Sequence, residues 1–426
     1  TDMSSSVFSE RWFPPFRWTK ANLPTNLNRS MAPLPEHQPI PFARPSLGPE
    51  EEAAVLRVMR SGWLTTAGEA GAFEREFAER TGAAHALAVN SATSGLHLAL
   101  EALGIGKGDR VAMSPYTFTA SAEVCRYCGA EPHFVDIEED GFLIDPEALE
   151  SATAKDSNES RSIKGVMPIH IAGEGCDMAS IRRIAGERDL FIVEDAAHAF
   201  PVRSGDATLG TQGDVGVFSF YATKTITTGE GGMVVTNDEG RAHRMRLMRM
   251  HGIDREVWDR YREPGKQWYY EVVEAGFKYN MPDLLAAIGR VQLRRAEELK
   301  RRREQIARHY LAGLSDREYL ILPKWKDEHA WHLFVLRLKL EELSIGRNEF
   351  ISRLGAAGIG ASVHYRPLHL MPYWRERLGL RPEMFPNATR RYEEVVSLPI
   401  WPGMGESAVE RIIENVKAIC DAARRR

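Results

Sequence analysis

From about residue 50 the chain alternates between short runs of consecutive apolar residues and longer stretches with a helical period. GPEEEAAVLRVMRSG (48–62) reads as a helix, with acids in its first turn and Gly62 at its end. HALAVN (85–90) is a short buried strand, and SATSGLHLALEALG (91–104) is a helix that begins at once after it. The pattern repeats with RVAMSP (110–115) as strand and TFTASAEVCRYCG (117–129) as helix. EPHFVDI (131–137), KGVMPIHI (164–171), a helix near 177–189 and LFIVED (190–195) continue it. VGVFSF (215–220) and GGMVVTND (231–238) follow with no long helix between them. This order predicts an α/β fold: an open, largely parallel sheet covered by helices on both faces.

The second half changes character. EGRAHRMRLMRMHG (239–252) is a predicted helix, and 281–314 reads as one very long helix, apolar at first and charged later. From about 320, HLFVLRLK (332–339) is a predicted strand, GRNEFISRLGAAG (346–358) a helix, ASVHY (361–365) a strand, and a last helix starts near 406. The expected organisation is a large domain over 41–280, a linking helix over 281–314, and a small α+β domain over 315–426. Residues 1–40, with SERWFPPFRWTK and several prolines, have neither period. They read as a partly ordered arm that packs its aromatic side chains on the body, with partner binding as the alternative. The arm lacks the apolar core of a secretion signal.

The charge balance adds exclusions. There are 55 basic and 59 acidic residues in 426, a net charge of −4. Nothing here favours nucleic acid or an anionic membrane as partner, and no apolar run is long enough to span a bilayer. Cys125 and Cys128 form a C-x-x-C, but no second pair or histidine cluster accompanies them. Buried free thiols are the simpler reading than a redox or metal site, so no metal is expected. Reduced thiols suit a cytoplasmic protein.

Four features carry candidate chemistry. Lys224 lies in SFYATKTITTGEGGMVV, between a predicted strand and a glycine-rich turn, with no acid at i−4 or i+4 to pair with on a helix. Asp195 ends the run FIVED, where a parallel sheet opens its ligand crevice. An acid and a lysine at neighbouring strand ends suit pyridoxal phosphate: the lysine holds the aldehyde as a Schiff base and the carboxylate keeps the pyridine nitrogen protonated. Ser91, Ala92 and Thr93 begin a helix whose N–H groups and dipole favour a phosphate. Ser219 adds a hydroxyl from the next strand end, and Phe118 offers an aromatic face to a flat ring. Taken singly, each has an ordinary alternative: helix cap, core aromatic or surface lysine.

In order and spacing, NSATSGLHLAL, PYTFTA, VEDAAHAF, FSFYATKTITTGEGGMVVT, GFKYNMPD and SLPIWP resemble the DegT/DnrJ/EryC1/StrS sugar aminotransferases. The resemblance runs from about Pro41 to near the C-terminus. PFARPSLG, SGWLTTAG, HAWHLF and ASVHYRPLH look most like the UDP-4-amino-4-deoxy-L-arabinose synthase branch. It implies the fold type I architecture of pyridoxal phosphate aminotransferases and a homodimer with shared active sites. It also implies transfer of an amino group from L-glutamate to a 4-keto nucleotide sugar. By position, Lys224 becomes the Schiff-base lysine, Asp195 the partner of the pyridinium and His198 a neighbour of the ring. Ser91, Ala92, Thr93 and Ser219 become phosphate ligands, and Phe118 the stacking residue, where some relatives have tryptophan. Asn280 is implied to reach the phosphate of the partner's cofactor, and Thr66, His170 and His364 to line the sugar pocket. A sugar dehydratase of the same family has histidine in place of the lysine, a non-catalytic regulator would not need this set intact, and a cysteine desulfurase would need a cysteine in a mobile loop.

Overall fold

The computed structural model describes residues 38–154, 163–254 and 269–425. The arm expected over 1–40 lies outside them except for its last three residues. Strands β1 (His85–Val89), β2 (Arg110–Met113), β3 (Glu131–Phe134), β4 (Ile163–Met167) and β5 (Phe191–Asp195) alternate with helices. A two-residue hairpin, β6 (Arg203–Ser204) and β7 (Ala207–Thr208), precedes β8 (Val215–Ser219) and β9 (Gly232–Thr236). Seven of these form one sheet in the order β1-β9-β8-β5-β4-β2-β3. β9 runs antiparallel to both β1 and β8, and every other pairing in that sheet is parallel.

Both faces of this sheet are buried, as its nearly continuous apolar strands require. Alternate residues feed separate cores: Leu87, Val89, Val217 and Val234 face one side, and Ala86, Ala88, Phe218 and Val235 the other. The helix Ala92–Ala102 lies tight on the sheet at Gly95. A Cβ there would sit 2.8 Å from Val217 and 2.9 Å from Val234.

A second sheet, β10 (Leu320–Ile321), β11 (Phe334–Leu338) and β12 (Val395–Leu398), is antiparallel and has its own core. The helices Ala296–Leu314 and Glu406–Ala423 pack on it, contributing Ile306, Tyr310, Ile412 and Val416. Ile40 joins this core at 2% exposure, its N–H donating to the Gly358 carbonyl at 2.8 Å and its carbonyl accepting from Gly360 N–H at 2.9 Å.

Two local expectations differ from the structure. The long helix is two, Asp283–Arg294 and Ala296–Leu314, meeting at Arg295. There the N–H is shared between the Val291 and Gln292 carbonyls, while the guanidinium reaches Glu51 at 2.6 Å. The break lets the first helix pack against the large sheet and the second against the small one. ASVHY is not a ladder strand, because only Ser362 pairs across, with Ser397. His364 and Tyr365 instead turn to the cavity described next.

Candidate active site

The C-terminal ends of β5 and β8 and the N-terminus of the helix Ala92–Ala102 meet around a cavity of about 520 Å³. Ser91, Ala92, Thr93, Phe118, Asp195, His198, Ser219, Lys224 and His364 all line it. Sequence reasoning thus chose residues from five separate segments that the fold brings to one place.

Ser91 caps its helix by accepting from the Ser94 N–H at 3.1 Å. The N–H groups of Ala92 and Thr93 have no acceptor one turn earlier, as at any helix start, so they remain for an anion together with the positive end of the dipole. Gly232 on β9 makes room for this turn, since a Cβ there would lie 2.8 Å from the Ala92 nitrogen.

Asp195 is 7% exposed and has both oxygens engaged. Oδ2 accepts from Ser121 Oγ at 2.8 Å, and Oδ1 from the Ala197 N–H at 3.1 Å. Lys224 sits on the turn after β8, its own N–H bonded to the Tyr221 carbonyl at 2.9 Å. Desolvation of its amine lowers the pKa to about 8, against the opposing pull of Asp195. Phe118 is 59% exposed, an unusual fraction for an aromatic beside a crevice, and its ring faces Tyr365 at 6.0 Å.

His198 Nδ1 accepts from the Ala172 N–H at 3.2 Å, which puts the ring proton on Nε2, 3.2 Å from the Tyr365 hydroxyl. Burial first, then the Lys224 charge, holds this imidazole well below its ordinary pKa. His364 is bonded through Nδ1 to Ser397 Oγ at 3.0 Å and stacks on Phe42 at 5.0 Å; burial lowers its pKa to about 4.

Three residues named from the sequence lie outside this cavity, among them Asn280, which was expected at the partner's cofactor. His170 was expected to line the sugar pocket, but it is fully buried behind β5, with Nε2 2.9 Å from Glu194 and Nδ1 accepting from the Cys176 N–H. Neither ring nitrogen is left for a ligand. Thr66 and Asn280 bond to each other at 2.6 Å, and neither lines this chain's cavity.

Four residues escaped sequence reasoning. Ser121 follows Phe118 by less than one helical turn, a spacing that could have linked it to the same crevice. Tyr365 follows His364 directly. His332 belongs to HAWHLF and stacks on His198 with centroids 4.3 Å apart. Glu194 precedes Asp195 and points to the other face of β5, where its carboxylate accepts from the N–H groups of Gly210, Gln212 and Gly213. Among the described residues no group of His, Cys, Asp and Glu could hold a metal ion, and all four cysteines are free.

This arrangement fits pyridoxal phosphate on its own geometry. An anion cradle, a buried carboxylate, an amine of depressed pKa and an exposed aromatic face share one cavity of suitable size.

The sequence model of the DegT/DnrJ/EryC1/StrS aminotransferase family matches residues 45–417. The spore coat polysaccharide biosynthesis protein SpsC of Bacillus subtilis is 42% identical over 387 residues, covering 90% of this chain and 98% of that protein. The sugar aminotransferase Spr1654 of Streptococcus pneumoniae, in its PMP form, superposes with a TM-score of 0.83 at 30% identity. That match covers 90% of this chain and 99% of the other. PseC of Helicobacter pylori, an aminotransferase involved in pseudoaminic acid biosynthesis, gives 0.82 at 28% identity, over 90% and 100% of the two chains.

Proposed function

The chain belongs to the DegT/DnrJ/EryC1/StrS aminotransferase family, and from that premise we propose that it uses pyridoxal phosphate to move an amino group from L-glutamate to a 4-keto nucleotide sugar. The observation that carries this reading is the convergence of Lys224, Asp195 and the Ser91–Thr93 helix start on one cavity. The 4-keto sugar rests on the likeness of ASVHYRPLH and its companion motifs to the arabinose branch. The enzyme works as a homodimer in the cytoplasm, with Asn280 and Thr66 serving the partner's site. A large cofactor-binding domain and a small C-terminal one build each protomer. Four free thiols, and the lack of any helix among the described residues long and apolar enough to cross a membrane, are consistent with this.

When bound, pyridoxal phosphate supplies an electron-accepting ring conjugated to the carbon that carries the migrating nitrogen. The chain's own residues do the rest. Ala92 and Thr93 N–H groups, with the Ser91 and Ser219 hydroxyls, bind the phosphate. Asp195, held by Ser121, would favour a proton on the ring nitrogen, because a neighbouring carboxylate favours the charged form of a base. Phe118 would offer its aromatic face to the ring, and His198 would stand in the wall beside it.

Lys224 would hold the cofactor through its aldehyde, and its Nζ, once free, would be the group placed to take and return the proton at the donor's Cα. A pKa near 8 leaves a useful neutral fraction at physiological pH. The same amine would move the proton in the opposite sense for the keto sugar. The lysine at 224 argues against the dehydratase alternative.

The test is spectroscopic. Protein purified with pyridoxal phosphate should absorb in the violet, and L-glutamate should bleach that band while 2-oxoglutarate appears. UDP-, dTDP- and GDP-linked 4-keto sugars should restore it to different extents. Absence of the band would sink the enzyme reading, and a preference for 3-keto sugars would refute the branch.

A further inference from the structure

Behind the cavity wall lies a charged side chain that the mechanism above does not use. Arg303, on the helix Ala296–Leu314, is 2% exposed. Its Nη1 donates to the carbonyls of Ile400 at 2.8 Å and His332 at 3.2 Å, and makes a longer contact of 3.5 Å with that of Trp331. Among the described residues it has no carboxylate partner. Burying a guanidinium without a counter-charge is costly, so what it holds in place must matter to the fold or the site.

What it holds is one side of the cavity. His332, Leu333 and Ile400 all line it. The same segment is tied to His198 by a second route. Leu333 N–H donates to the Ala172 carbonyl at 3.1 Å, and Ala172 N–H donates to His198 Nδ1 at 3.2 Å. Ala172 has φ 58°, a left-handed conformation that a non-glycine residue adopts only where its surroundings impose it. Meanwhile the His332 ring lies against the His198 ring, tilted by 44°.

We propose that Arg303 and His332 are positioning residues for His198, fixing the plane and the tautomer of that imidazole in the wall of the cavity. The inference rests on the transaminase reading above. Arg303 seats the 331–333 backbone by its carbonyl contacts. The seated backbone presents Leu333 N–H to Ala172 and the His332 ring to His198. With Ala172 N–H on Nδ1, His198 can carry its proton only on Nε2, and protonating Nδ1 would set two N–H groups against each other. The charges around the pair act in the same sense. Lys224 and Arg303 are cations, His364 is the neighbouring imidazole, and burial comes first among the effects that keep His332 neutral. Among the described residues His332 Nδ1 has no hydrogen-bond partner, and it is the ring that contacts His198.

The test uses the cofactor-free protein with ¹⁵N-labelled histidine, whose ring shifts report tautomer and charge by NMR, followed by kinetics of the loaded enzyme. In the wild type, His198 stays neutral with its proton on Nε2 from pH 8 to 5. His332→Ala and Arg303→Met should give an averaged tautomer and a His198 that gains charge in that range. His332→Phe and Arg303→Lys should stay close to wild type. In the loaded enzyme, kcat of His332→Ala should fall about 10- to 100-fold, the scale of a small misplacement at a reacting centre, with KM for glutamate nearly unchanged, and His332→Phe should recover most of it. A wild-type His198 spectrum in folded His332→Ala, or a His332→Phe as impaired as the alanine variant, overturns the proposal. If Arg303→Met does not fold, the two His332 variants still decide. If the wild type never takes up pyridoxal phosphate, the transaminase reading fails while the NMR result still stands.

Discussion

Ser121 Oγ donates to Asp195 Oδ2 at 2.8 Å, joining the start of the helix Ala120–Tyr127 to the end of β5. The Ala197 N–H donates to the other oxygen, so both carboxylate oxygens are held and the group cannot rotate. Ser121→Ala should therefore weaken cofactor binding about fivefold, the worth of one ordinary hydrogen bond. Asp195→Asn removes the charge itself, and the glutamate half-reaction should slow by at least about 100-fold. Single-turnover bleaching of the violet band measures both.

Lys224→Ala removes anchor and proton carrier together. Turnover should drop by about four orders of magnitude or more, since losing a proton-transfer group alone costs 10²–10⁴. Lys224→Arg should be equally inactive, because guanidinium neither forms the imine nor gives up its proton near neutral pH. Stopped-flow assays against wild type separate these losses from poor folding, which circular dichroism reports.

Glycine spacing predicts a binding effect without chemistry. Gly232→Ala places a methyl group 2.8 Å from the Ala92 nitrogen and should raise the cofactor dissociation constant. Gly95→Ala pushes the whole helix off Val217 and Val234 and should also cost stability, about 1–3 kcal/mol, as overpacking does. Equilibrium dialysis and urea unfolding tell the two apart.

The histidines set an acid limit. His364 is lowered to about 4 by burial, and His198 and His332 lie well below the usual value for the same first cause. Between that value and about 6.5 the unfolded chain binds protons that the folded chain refuses, so stability rises with pH across the window and is lost as pH falls through it. The melting temperature of cofactor-free protein should fall steadily from pH 6.5 to 4. A flat profile would show these imidazoles charged in the native state.

Much of the site was legible because its chemistry is carried by residue type at strand and helix ends. Lys224, Asp195, Ser91 and Phe118 could be placed from the alternation of elements alone. His170 could not, because its role depends on which face of β5 Glu194 occupies, and an apolar run buried on both sides gives no such phase. The break at Arg295 was hidden for a related reason: the helical period continues unbroken through it, and only the change of packing partner marks it. Ser121 and His332 act through Asp195 and His198, and a contact between side chains far apart in sequence leaves no local trace.

The seat of Ile40 between Gly358 and Gly360 ties the beginning of the described chain to a core completed near its end. During synthesis Ile40 leaves the ribosome long before its neighbours exist. At about 5–20 residues per second that wait is tens of seconds. The core around the C-terminal sheet can close only once the helix Glu406–Ala423 is made, so until then a nascent protein of this sequence carries an apolar segment in need of shelter.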